Sequence, residues 1–144
     1  MNNSWSRFLL GSASAILVAG ATMHAIAFRQ VAIAVRHSNL PVFFGNSLKA
    51  LWISDSGTLI FVAAILAFLA LRQAASGCVI AVFCCVLLAA TAAILYTFLG
   101  AFFAAHLLAA VSGAVIVACA LEKFYSGNAV VSKKSHRGAG AVKD

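Results

Sequence analysis

Residues 78–121 read CVIAVFCCVLLAATAAILYTFLGAFFAAHLLAAVSGAVIVACAL, a stretch without a single Asp, Glu, Lys or Arg whose one clear break is Gly100. The hydrocarbon core of a bilayer is about 30 Å thick, and a helix needs roughly 20 apolar residues to cross it. Residues 78–99 and 101–121 each meet that length, so the stretch reads as two membrane spans joined by one glycine. Helices are the expected form, because an open sheet would leave peptide groups unpaired in lipid and the short alternating segments of a barrel are absent.

Working outward, residues 50–71 repeat the pattern with one interruption, Asp55, and residues 8–28 repeat it with His24 as the only titratable side chain. The whole chain of 144 residues is 64% hydrophobic and 9% charged, too few charges to clothe a water-soluble globule. The expected fold is therefore all-α: an integral membrane four-helix bundle over residues 1–125, followed by a flexible basic tail over 126–144. Short connections make the helices antiparallel in an up-down order.

The longest connection, residues 29–49, is not a plain loop. Gln30 to Arg36 is compatible with helix, so the first helix is expected to project past the membrane until Ser38, Asn39 and Pro41 stop it. Phe43, Phe44 and Gly45 read as an interfacial turn, after which Asn46 or Ser47 caps the second helix. Ser76 and Gly77 break the chain between spans two and three.

Orientation follows from Lys and Arg, which resist translocation near span ends. An inside N-terminus puts Arg7, Arg72, Lys123, Lys133, Lys134, Arg137 and Lys143 on the cytoplasmic side and only Arg29, Arg36 and Lys49 outside. Both termini are expected in the cytoplasm of a bacterial cell, with the chain in its inner membrane. Arg7, the apolar run and Ala25-Ile26-Ala27 resemble a cleavable signal, but the run is longer than a usual signal core, which favours a retained anchor. The tail suits anionic lipid heads; without aromatic interleaving it does not suit nucleic acid.

Ionisable groups inside a membrane are costly and mark candidate sites. Span depth places His24, Asp55 and His106 roughly 6 to 8 Å below the outer boundary on three helices, with Tyr96 on the fourth. A hairpin centred near Val42 sets Asp55 opposite Arg29, an expected ion pair, so the candidate polar layer is His24, Arg29, Asp55, Tyr96 and His106. Both histidines are expected to point inward. Facing imidazoles at His24 and His106 could hold haem iron or a transition metal. Cys78, Cys84, Cys85 and Cys119 lie on the reducing side with Cys119 level with Ala81, and are expected to pack as small soft residues. Gly11 with Ala15, and Ala105 with Ala109 and Gly113, repeat at helical spacing and are expected to let backbones approach.

No nucleophile stands with a base and no Gly-rich phosphate loop occurs. There is no C-x-x-C, which four-span quinone-linked thiol oxidoreductases need, and no acid in the first span, on which small multidrug antiporters depend. The expected function is that of a non-enzymatic interaction or accessory subunit, partnered with lipid and with a second copy or another membrane protein. The alternatives are a haem or metal binder using His24 and His106, and a small proton-coupled transporter in which Asp55 titrates.

Overall fold

The computed structural model describes residues 4–72 and 77–139, with side chains described up to residue 124. Its helices are α1 (Ser4–Arg36), α2 (Val42–Leu71), α3 (Gly77–Leu99) and α4 (Phe103–Ala139). Each is long and apolar enough to cross a membrane, α4 through its segment Phe103–Phe124, so the chain is an all-helical multi-pass membrane protein. Large apolar side chains point outward as freely as inward: Phe61 and Phe83, well inside their helices, are 68% and 72% exposed. In water such a surface would aggregate; in hydrocarbon it needs no cover.

The buried faces follow helical spacing. Leu10, Ala13, Leu17 and Ala21 line one stripe of α1, Val62, Leu66 and Leu69 one of α2, Ala81, Cys84, Leu88 and Ala92 one of α3, and Leu108, Val111, Val115 and Ala118 one of α4. α1 packs against α2 and α4, α3 packs against α4, and α2 meets α3 much less. The expected small-residue stripes serve this packing only in part. Ala105 is fully buried, but Ala15, Ala109 and Gly113 are exposed, and nothing lies near enough to Gly11 or Gly113 to need a missing side chain.

Within each hairpin the contacts advance along one helix as they retreat along the other. Arg7 meets Ala70, Ser14 meets Ala63 and His24 meets Trp52 between α1 and α2. Cys78 meets Cys119 and Cys85 meets Ser112 between α3 and α4. Hydroxyl and thiol donors supply several of these contacts because in lipid a facing carbonyl is the best acceptor within reach.

The α1–α2 connection departs from expectation at one point. α1 stops at Arg36, and the Ser38 backbone N–H and hydroxyl both donate to the Val35 carbonyl, as the stop signals imply. α2 then opens directly behind Pro41, so Phe43, Phe44 and Gly45 are its first turn and not an interfacial turn. Proline has no amide donor to lose at a helix entrance, and its φ of −52° already suits one. Nor do Asn46 and Ser47 cap: no side chain caps α2, and the Ser47 hydroxyl donates back to the Phe43 carbonyl at 2.9 Å. Gly45 is there for packing, since a Cβ would come within 2.8 Å of Val35 Cγ1.

At the other hairpin Gly100 adopts φ +70° and donates its N–H to the Tyr96 carbonyl at 3.1 Å, closing α3 with the left-handed residue that glycine favours. α4 begins at Phe103, two residues later than the single-glycine reading places it. It also continues to Ala139, so the backbone is helical across most of the segment expected as a flexible tail. The side chains of residues 125–139, and residues 140–144 with Lys143, lie outside the described residues, as do residues 73–76 with Ser76.

The close approach at Gly45 makes a test of the hairpin. Gly45→Ala should destabilise the detergent-solubilised protein by about 1 to 3 kcal/mol through overpacking, seen as a lowered thermal midpoint. Adding Val35→Ala should recover most of the loss. No recovery would mean that α1 and α2 do not meet there.

Candidate functional site

The α1–α2 register brings His24 of α1 to Trp52 and Asp55 of α2, in the third of the hairpin toward its turn. Trp52 donates its indole N–H to the His24 carbonyl at 2.7 Å, and its ring packs edge-on against the His24 imidazole with centroids 4.0 Å apart. One helical turn further along α2, Asp55 Oδ2 stands 3.6 Å from His24 Nε2. That nitrogen is buried and makes no hydrogen bond, so the contact is an ion-pair approach that stops short of one. The His24 side chain is 21% exposed and the Asp55 side chain 46%, so the carboxylate looks outward while the imidazole is clamped between helices. Ser56, buried on the same turn, donates its hydroxyl to the Trp52 carbonyl.

Asp55 therefore faces His24 and not Arg29. Among the described residues His24 is the one basic side chain within 4 Å of a carboxylate, that of Asp55, and Arg29 is exposed on α1. The hairpin arithmetic fails because the connection is centred on Asn39, not Val42. Moving a hairpin's centre by three residues moves the partner of any given residue by six, which carries Asp55 from Arg29 to the His24 level.

The other two members of the expected layer form a separate pair on the second hairpin. His106 is exposed, its ring lies edge-on against Tyr96 at 5.2 Å, and its Nδ1 sits 3.0 Å from the Phe102 carbonyl. The inward placement expected of both histidines holds for the clamped His24 and not for His106. A residue so close to the α3–α4 turn finds its polar partners at the turn itself, so burial is not needed to satisfy it. Each ring thus has its own partner, His24 with Trp52 and His106 with Tyr96, and the geometry does not turn them toward a shared ligand. Among the described residues there is no group of three or more His, Cys, Asp or Glu able to hold a metal ion.

Further polar contacts lie at the end of the bundle where α1 begins and α2 ends. Arg7 Nε donates to the Ala70 carbonyl at 2.8 Å, satisfying one of the acceptors a helix leaves open at its C-terminus. The Arg72 guanidinium lies over the Phe68 ring, 5.4 Å from its centroid. Cys84, Cys85 and Cys119 are buried and all four cysteines are free thiols. Cys85 reaches the Ser112 carbonyl and Cys119 the Cys78 carbonyl, three residues from the level the hairpin arithmetic assigns, and they pack as core residues. Trp52 is the participant that sequence reasoning missed. Its one available signal was helical spacing, three residues before Asp55 and so on the same face of α2.

No protein-family model, curated protein or solved structure matches the chain.

Double-mutant cycles separate the two clusters. His24→Ala and Asp55→Ala should be non-additive in unfolding free energy by about 0.5 kcal/mol or more, since they are in contact. His24→Ala and His106→Ala should add within about 0.3–0.5 kcal/mol, as sites that share no partner do. Coupling between the two histidines would show a shared ligand.

Proposed function

We propose that this chain is a non-enzymatic accessory or interaction subunit, a multi-pass protein of a bacterial inner membrane with its helices in up-down order and both termini in the cytoplasm. One observation carries the reading. Polar side chains of the interior, the His24 Nε2 aside, are engaged with the chain's own backbone: Ser14 on Ala63, Ser112 on Leu108, Cys85 on Ser112 and Trp52 on His24. The Ser14, Cys85 and Trp52 contacts cross between helices and hold them in register, and groups used in this way are not free to handle a substrate. The basic side chains at the C-terminal end would lie against anionic lipid heads, and the exposed apolar faces would meet lipid, a second copy or another membrane protein.

A second reading gives His24 and Asp55 a role in proton or metal handling. It is favoured by the buried Nε2 that no hydrogen bond satisfies, next to a carboxylate open to the outside. The separate partners of His24 and His106 give no support to haem or metal held between those two rings.

The readings part on the protein purified whole from its own membranes in mild detergent. The accessory reading expects a particle well above the chain's 14.9 kDa that contains a second polypeptide, with neither visible absorbance nor stoichiometric metal. A solitary protein refutes it, and a bound chromophore or metal lost on His24→Ala supports the second reading. For orientation, a reporter fused after Asp144 should be active in the cytoplasm; activity on the other side reverses the topology.

A further inference from the structure

The two hairpins end at different heights. Gly20 on α1 is in contact range of Leu107 on α4, so these residues lie at one level. From there α4 has four residues back to its start at Phe103, about 6 Å, whereas α1 runs sixteen residues on to Arg36, about 24 Å. The α1–α2 hairpin thus reaches roughly 18 Å past the α3–α4 turn, the difference of the two rises. That turn is itself apolar, with Phe98 and Phe103 exposed, a composition that suits the edge of the hydrocarbon.

Two kinds of side chain follow in order along the projecting part. The α1–α2 register sets Arg29 level with Lys49 just past that edge, forming a basic collar that Arg36 extends toward the tip. Beyond Arg29 and Lys49, at the very end and level with Arg36, Val42, Phe43 and Phe44 are 79%, 74% and 60% exposed, and Leu40 beside them is exposed as well. A hairpin that anchors in its own bilayer has the reverse order, with aromatic residues nearest the hydrocarbon and basic residues outside them. Here the charges stand between the rings and the lipid. The rings cannot return to the hydrocarbon of their own membrane without carrying Arg29 and Lys49 into it, at a cost of several kcal/mol. Between Arg29 and Ser54 the sequence holds no acid, and Asp55 is turned to His24, so the collar's charge is uncompensated within the hairpin.

We propose that the tip of the α1–α2 hairpin is a docking element for a protein partner: an apolar recess that receives Phe43 and Phe44, rimmed by carboxylates that meet Arg29, Arg36 and Lys49. Buried aromatic anchors surrounded by complementary charge are the usual energetic centre of such contacts. This names the partner chemistry of the accessory function and rests on that reading.

The test is photo-crosslinking from Phe43→benzoylphenylalanine in the full chain, expressed in its own cells. The expected product is an adduct with a single protein, through a peptide that combines apolar residues with Asp or Glu. Arg29→Glu with Arg36→Glu should lower its yield about tenfold, corresponding to the loss of roughly one strong charge contact. Changing the acids of that peptide to Lys should restore it, with the thermal midpoint of the variant chain unchanged. An adduct of lipid mass would place the tip in a bilayer, and an adduct with this chain's own peptides would make the partner a second copy; either overturns the proposal. So does a partner adduct indifferent to the charge reversal, or no adduct where Phe61→benzoylphenylalanine, on a lipid-facing position, reacts. If the purified protein is a hetero-assembly but the tip fails these tests, only the docking element is refuted; a solitary protein refutes the accessory reading with it.

Discussion

Three side-chain donors on facing carbonyls fix how α1 lies along α2, and the rest of the molecule depends on that register. Arg7 on Ala70, Ser14 on Ala63 and Trp52 on His24 are spread over most of the shared length of the pair. Apolar contacts alone would tolerate sliding, because lipid is as apolar as the helices and gives no hydrophobic reason for one register over another. Polar donors remove that freedom. A slip of one residue would leave the Trp52 indole and the Ser14 hydroxyl without their acceptors in a medium that supplies none.

From this register comes the division of the outer polar groups into two clusters. His24 and Asp55 meet because both lie beside Trp52, while His106 and Tyr96 meet across a different hairpin whose turn is set by Gly100. Depth alone places all four at similar heights, but height is not adjacency. The same register, carried outward through the contact of Gly45 with Val35, keeps α1 and α2 paired well beyond the end of α3 and α4. The two hairpins therefore differ in reach: the α3–α4 hairpin turns first, and the α1–α2 hairpin runs several helical turns further.

Much of this was legible in the sequence, for physical reasons that also explain what was not. Run length and charge-free composition report the solvent directly, and so located all four helices. Ser38, Asn39, Pro41 and Gly100 marked both hairpin ends because their backbone preferences are local. The register was not legible, since it turns on whether Phe43, Phe44 and Gly45 are a turn or a helix, and Gly45 suits either. Which side of each helix is buried was equally hidden. The helices are apolar all round, so no amphipathic contrast distinguishes an inward His24 from an exposed His106. Trp52 escaped notice because its partner is a backbone carbonyl, which leaves no mark on sequence.

Depth measurement by spin labelling tests the unequal hairpins. Labels attached at Phe43→Cys and Leu99→Cys, in a chain whose native cysteines are changed to Ala and which is reconstituted in bilayers, report their immersion through relative relaxation by oxygen and by a water-soluble nickel chelate. The structure predicts that the label at position 43 is relaxed mainly by the chelate, as a group in water well clear of the hydrocarbon, and that the label at position 99 lies at the boundary. Equal immersion of the two labels would contradict it, because the α1–α2 hairpin would then end where α3 and α4 end.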